Sequence, residues 1–297
     1  MSRQTWLVTG AAGMLGQRVV AELLSAGAPV LACGRDELDI TDAAAVATML
    51  DRARPDIVVN CAAYTAVDAA EGDEAAATAV NATGPANLAR GCAGTRTALV
   101  QLSTDYVFAG DATAPYDEDA PVAPLSAYGR GKAAGERAVR DLLPERSAIV
   151  RTAWLYGPGG GNFVATMLRL ASERDPDDPV RVVDDQRGAP TPTSVVAEAV
   201  RALGPQVAAG TARGVFHATC AGATTWFALA REVFALAGAD PERVQPIDSA
   251  SYARPGTAPR PAYSVLGHRR WAEHGLPEPE AWRPALARTV PTMLAAG

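Results

Sequence analysis

With 297 residues, the chain is long enough for one large domain or two modest ones with ample core. Hydrophobic residues make up 48% and charged residues 20%, the balance of an ordinary soluble globular protein. A net charge of −6 excludes a broad basic surface of the kind that coats nucleic acid, so an anionic ligand must be held by local arginines and helix N-termini.

Cys33, Cys61, Cys92 and Cys220 are far apart and form no Cys-x-x-Cys, which reads as reduced, buried thiols of a cytosolic protein. His217, His268 and His274 show no metal-ligand spacing, so no zinc site is expected. The sequence carries no signal-peptide pattern and no apolar run long enough to span a bilayer, and a cytoplasmic location without membrane partners is expected.

In chain order, Thr5–Thr9 reads as a strand, Met14–Ala26 as an amphipathic helix and Pro29–Cys33 as a second strand. Ala43–Arg52 is a second helix and Asp56–Asn60 a third strand. A helix is expected from Glu74 to Cys92, interrupted at Gly84-Pro85. Ala98–Ser103 and Ser147–Arg151 supply two more strands, with a helix around Tyr128 between them. This alternation predicts a doubly wound parallel α/β sheet of the Rossmann type. After Trp154 the texture changes to Pro- and Gly-rich connections, a helix from Asn162 to Arg174, and isolated strands at Val180–Val183 and Gly214–His217. Trp226–Ala237 and Trp282–Leu294 read as amphipathic helices with a packing role only. We therefore expect a dinucleotide-binding domain over 1–155. A smaller, mainly substrate-binding lobe over 156–297 is expected to send segments back to it.

Gly10, Gly13 and Gly16 follow the first strand and open the first helix. In that setting the first glycine permits a tight turn, the second lets the backbone approach a pyrophosphate, and the third lets the helix pack closely. At the end of the second strand, where an NAD enzyme usually places an acid for the ribose, stands Gly34-Arg35. An arginine there suits a 2′-phosphate and favours NADPH, while Asp36 and Glu37 just after it leave NADH use open.

Tyr128 and Lys132 sit four residues apart, on one face of a helix. A neighbouring ammonium favours the phenolate and should lower the tyrosine's pKa from ~10 by roughly 1–3 units, towards that of a useful general acid.

Taken together, these pieces resemble the extended short-chain dehydrogenase/reductase family. Leu38-Asp39-Ile40 is similar to the acid–apolar pair beside the adenine, and Asn60-Cys61-Ala62-Ala63, running on to Tyr64, to the post-strand motif lining the cofactor. Asn81-Ala-Thr-Gly84 is similar to the segment carrying a structural or proton-relay asparagine, and Ser103-Thr104 precedes Tyr128 and Lys132 as expected of the active site. Ser103-Thr-Asp-Tyr-Val-Phe108, Asn162-Phe163, Asp185–Thr191 and Arg260-Pro-Ala-Tyr-Ser264 narrow the resemblance to the dTDP-4-dehydrorhamnose reductase subfamily, from Trp6 to about Leu266.

The resemblance implies NADPH-dependent reduction of the 4-keto group of a dTDP-4-keto-6-deoxy sugar, that of dTDP-4-dehydro-β-L-rhamnose first. A 4-ketoreductase for another dTDP-deoxysugar and a non-catalytic nucleotide-binding subunit are the alternatives. It implies Thr104, Tyr128 and Lys132 as catalytic residues. Gly10, Ala12, Gly13, Met14, Leu15, Gly34, Arg35, Asp39, Ile40, Cys61–Tyr64 and Asn81 would join the last two around the cofactor. Val67, Asp105, Tyr106, Trp154, Asn162, Phe163, Arg187 and Arg260 would meet the substrate with Thr104. Arg260 is the first choice for the diphosphate and Arg187 a weaker second. Thr104 has a second reading as a turn cap, Trp154 as simple core, and Val67 and Asp68 as ordinary loop residues. Where some family members hold a metal between subunits with glutamates, this chain has Arg18 and Ser194. Neither suits magnesium, so no metal and a monomer or weak homodimer are expected.

Overall fold

A computed structural model of the protein describes residues 4–173 and 178–295. The strands are β1 (Trp6–Thr9), β2 (Val30–Cys33), β3 (Ile57–Asn60), β4 (Ala98–Thr104), β5 (Ser147–Thr152), β6 (Leu155–Tyr156), β7 (Val180–Val183), β8 (Arg187–Gly188), β9 (Thr191–Pro192), β10 (Gly214–His217), β11 (Thr224–Thr225) and β12 (Val244–Ile247). The helices are α1 (Met14–Ser25), α2 (Ala43–Ala53), α3 (Val67–Gly72), α4 (Glu74–Thr78), α5 (Gly84–Cys92), α6 (Ala127–Leu142), α7 (Phe163–Glu173), α8 (Thr193–Ala208), α9 (Trp226–Leu236), α10 (Ser249–Tyr252), α11 (Arg269–Glu273) and α12 (Trp282–Ala295).

Six strands form one parallel sheet in the order β10-β5-β4-β3-β1-β2. The inner strands β1, β3, β4 and β5 are buried along their whole length, as near-continuous apolar runs in a parallel sheet require. Alternate side chains feed two cores. Trp6, Val8, Val59 and Val150 pack with Val19 and Leu23 of α1 and Val196, Val200 and Leu203 of α8. On the opposite face, Leu7, Val58, Leu99 and Ile149 meet Val46 and Leu50 of α2, Leu88 of α5 and Val139 of α6. Helix starts are fixed locally: Asp42 caps α2, Ser126 caps α6 and Thr225 caps α9.

The doubly wound parallel sheet expected from the sequence is present, with three differences. Gly214–His217 is no isolated strand of the second lobe, because it pairs with β5 and closes the main sheet. The Glu74–Cys92 segment departs from α-helix ahead of Gly84-Pro85, in a π-helical turn over Ala79–Thr83. Gly84-Pro85 instead opens α5, where the missing proline N–H falls among groups that lack an intrahelical partner anyway. Helix α8, packed on α1, was hidden by its Pro- and Thr-rich start. The second lobe carries its own core, in which Tyr156, Val164 and Leu168 meet Leu229, Val233 and Leu286. The expected helix end at Arg174 lies outside the described residues.

Candidate active site

The loop after β1 enters the site through Gly10, whose φ of +64° lies in the left-handed region that favours glycine. A side chain on Gly16 would strike the Gly10 carbonyl, so α1 starts directly against the turn. Asn60 at the end of β3 pins the neighbouring loop. Its Oδ1 accepts from Thr9 Oγ1 at 2.6 Å and from the Ala62 amide at 3.1 Å, and its Nδ2 donates to Gln101 at 2.8 Å. A cavity of about 300 Å³ opens over this floor, lined by Gly10, Ala12 and Gly13 on one side and Cys61, Ala62, Ala63 and Tyr64 on another. Gly34, Arg35, Asp39 and Ile40 line its far end.

That end carries one cation, Arg35, and one carboxylate, Asp39. Arg35 is 85% exposed, with Nε 3.8 Å from the Asp39 carboxylate. Asp39 accepts from the Thr41 amide and hydroxyl, at 2.9 and 2.7 Å, and these bonds hold its carboxyl below the usual range. Glu37 folds back to accept from the Gly34 amide at 2.8 Å. Asn81, in the π-helical turn, holds the Tyr64 backbone from both sides: Oδ1 accepts from its N–H at 2.9 Å and Nδ2 donates to its carbonyl at 3.0 Å. Asn81 thus shapes the cavity wall without lining it.

A second cavity, of about 550 Å³, continues from Gly13, Met14 and Leu15 to the ends of β4 and β5. It brings together Thr104 from β4, Asp105 and Tyr106 from the turn after it, Tyr128 and Lys132 from α6, Val67 from α3, and Trp154. Tyr106 meets Tyr128 edge-on, with ring centroids 5.7 Å apart. Lys132 Nζ donates to the Leu102 carbonyl at 2.7 Å, and burial pushes its ammonium down to about 8. The expected depression of Tyr128 by this lysine is not found. Burial drives the phenol up to about 12, the neighbouring Thr104 hydroxyl opposes the rise, and Asp105 adds to it. The lysine's proton is directed at a backbone carbonyl instead. Thr104 donates to Asp105 Oδ1 at 3.0 Å, and burial raises that carboxyl to about 6. Thr104 also accepts from the Tyr106 amide at 3.3 Å, so its turn-capping role and its place in the cavity coexist.

On the Trp154 side of this cavity, Trp154 has a left-handed φ of +47° and lies flat on Trp226, centroids 3.5 Å apart and planes within 6°. Trp226 lines the cavity too, which corrects the reading of its helix as packing alone. Its placement follows from the Thr225 cap, which sets residue 226 at the half-buried first turn of α9. Phe163 reaches the site only through Trp226, at 4.6 Å. Asn162 is occupied as an organiser of the preceding loop, donating to the Gly157 and Gly160 carbonyls and accepting from Ala165 N. Arg260 stands outside the lining, with Nη1 3.0 Å from Asp68 Oδ1 and its charge acting on Tyr106. Arg187 is exposed; its backbone pairs with Ala262 and Ser264, and it does not line this cavity.

Behind the site, Glu136 of α6 and Arg151 of β5 form a buried ion pair at 2.7 Å, and Ser103 donates to the same carboxylate at 2.5 Å. Of the four thiols, Cys33, Cys92 and Cys220 are buried, while Cys61 is partly exposed in the cavity wall.

Residues 4–295 match the family model described as the RmlD substrate binding domain. A dTDP-4-dehydrorhamnose reductase of Streptomyces griseus is 53% identical over 292 residues, 98% of this chain and 94% of that protein. A dTDP-4-keto-6-deoxy-D-glucose reductase of Streptomyces niveus is 50% identical, covering 97% of both chains. The crystal structure of a dTDP-4-dehydrorhamnose reductase from Bacillus anthracis in complex with NADP superposes with a TM-score of 0.91 at 34% identity, over 98% of this chain and all of the other (100%). With the family model spanning nearly the whole chain, this protein belongs to the RmlD substrate-binding domain family, within the Rossmann-type extended short-chain dehydrogenase/reductases.

Proposed function

We propose that this protein reduces the 4-keto group of dTDP-4-dehydro-β-L-rhamnose to the alcohol of dTDP-L-rhamnose, using NADPH. The observation that carries this reading is one continuous cavity in which the glycine-loop residues Gly13–Leu15 meet Thr104, Tyr128 and Lys132. The homologues' named activity supplies the sugar and the nucleotide.

The loop at Gly10–Gly16, the Cys61–Tyr64 wall and exposed Arg35 fit a dinucleotide with a 2′-phosphate: the turn leaves no room for a side chain at Gly10 or Gly16, and the cation is in place. NADPH, when bound there, supplies the hydride for the carbonyl carbon. Lys132 would hold the nicotinamide ribose, and Tyr128 would protonate the carbonyl oxygen. A phenol at about 12 is a weak acid at rest, yet the alkoxide forming on the sugar is the stronger base, so the transfer runs downhill. Thr104 would donate a hydrogen bond to the same oxygen as charge develops. Trp154 and Val67 would border the sugar, and Arg260 would meet the diphosphate. Residues 1–155 would serve mainly the dinucleotide and 156–297 mainly the sugar nucleotide.

The test is NADPH oxidation with dTDP-4-dehydrorhamnose generated in situ and the product identified by NMR. Turnover to dTDP-L-rhamnose is expected. Turnover confined to another dTDP-4-keto-6-deoxy sugar would overturn the assignment.

A further inference from the structure

A threonine hydroxyl has one proton to donate and two positions at which to accept. Around Thr104 two groups compete for these. The Tyr106 amide donates to Oγ1 at 3.3 Å, and Asp105 Oδ1 lies 3.0 Å away. An ionised Asp105 can only accept, so the Thr104 proton is committed to it and points away from the substrate. If Asp105 is neutral, its own O–H donates to Thr104, and the Thr104 proton turns outward to meet the carbonyl oxygen.

Resting on the ketone-reductase reading above, we propose that Asp105 is a positioning residue whose protonation state sets the direction of the Thr104 hydroxyl, the neutral carboxyl being the form that aims its proton at the substrate ketone. The surroundings of Asp105 favour that form. It is 2% exposed. The side chains acting on it are hydroxyls, Thr104 on β4 and Ser264 on the C-terminal segment, while it raises the neighbouring phenols of Tyr106 and Tyr128. Arg260, which acts on the neighbouring Tyr106, is already engaged by Asp68 at 3.0 Å, and Lys132 is directed at the Leu102 carbonyl. Burial therefore outweighs the hydroxyl bonds, and the carboxyl titrates near 6.

The sign follows directly. Activity needs the proton, so kcat/KM is highest below that value and falls as pH rises through it. The experiment is the pH profile of kcat/KM from pH 5 to 7.5 for wild type, Asp105→Asn and Thr104→Val, with whichever dTDP-4-keto-6-deoxy sugar the wild type reduces. Wild type should lose about 15-fold between pH 6 and 7.5, as one required proton titrating near 6 dictates. Asp105→Asn, whose amide can donate to Thr104 at every pH, should have a flat profile over that window. Thr104→Val should be slower and also flat, because no hydroxyl remains to be turned, and it serves where the Asn variant does not fold. A limb retained in either folded variant, or absent from wild type, overturns the inference and leaves the function standing. A wild type inactive on every such sugar overturns both.

Discussion

The indole of Trp154 rests face to face on that of Trp226, centroids 3.5 Å apart, although one leaves the end of the main sheet and the other begins a helix of the second lobe. The stack is braced from several sides. Trp226 Nε1 donates to Gln186 Oε1 at 3.2 Å, and Gln186 in turn donates to Ser249 at 2.8 Å. Gly188 approaches the Trp154 indole so closely that any side chain there would collide with it. These contacts hold Trp154 in a left-handed backbone conformation that a bulky residue otherwise avoids.

Removing the brace should therefore loosen the sugar side of the site while sparing the cofactor side. A stacked aromatic pair contributes about 0.5–1.5 kcal/mol beyond burial, which corresponds to a roughly 2- to 10-fold change in an equilibrium. Trp226→Ala is expected to raise KM for the sugar nucleotide by about that factor, with NADPH affinity unchanged. The circular dichroism couplet of the indole pair should vanish in the same variant. An unchanged KM alongside a lost couplet would show that the stack does not serve the substrate.

Tyr128→Phe removes the proton donor and leaves the ring, which packs edge-on to Tyr106. The expected result is a fall in kcat of at least ~10²-fold with NADPH affinity nearly intact. Near-normal turnover would remove Tyr128 from the reaction. Fluorescence titration with NADPH separates this outcome from a collapsed site.

Much of the geometry of the candidate site was legible in the chain, for local reasons. Thr104 ends a largely apolar, fully buried strand, and Tyr128 and Lys132 share a helix face started by Ser126, so these elements could be read from pattern alone. What stayed hidden depends on partners that sequence does not mark. The Leu102 carbonyl that takes the Lys132 proton is a backbone group, which leaves no trace in composition. Asp68 and Arg260 meet from opposite ends of the chain, so the arginine expected on a diphosphate starts from an ion pair. Trp226 sat in an amphipathic pattern that fits packing equally well. Burial also decided the sign at Tyr128, since four-residue spacing conveys proximity but not the loss of water.

Arg35 offers a test of cofactor choice. Its guanidinium is largely in solvent and pairs with Asp39 only at 3.8 Å, while Asp39 also accepts from Thr41 and Glu37 from the Gly34 amide. Arg35→Ala should raise KM for NADPH by about tenfold, the loss of a charge-assisted contact of roughly 1.4 kcal/mol, while KM for NADH changes little. Equal effects on both cofactors would mean that Arg35 does not read the 2′-phosphate.

The Glu136–Arg151 pair should matter for stability out of proportion to its distance from the ketone. Both side chains are nearly inaccessible, and the carboxylate also takes the Ser103 hydroxyl. Taking away one member of a buried pair strands the other charge, which costs about 3–5 kcal/mol. Glu136→Ala should lower the urea-unfolding free energy by about that amount and loosen Ser103, next to Thr104. A loss below about 1 kcal/mol would place the pair with solvent-exposed bridges.

Lys132 makes the opposite demand on the fold. Its ammonium is buried and held down at about 8 from an ordinary 10.5, so the folded state binds its proton less tightly than the unfolded chain does. Between those two values the unfolded state carries more protons, and stability from this group rises with pH. Below about pH 8 the charged lysine burdens the fold by up to about 3 kcal/mol, reduced by its bond to the Leu102 carbonyl. Lys132→Met keeps the length of the side chain and removes the charge. It should be more stable than wild type at pH 7, and its advantage should shrink steadily from pH 8 to 10.5. Thermal unfolding of both proteins across that range decides the point: a stability difference that does not change with pH would mean that the lysine titrates alike in both states.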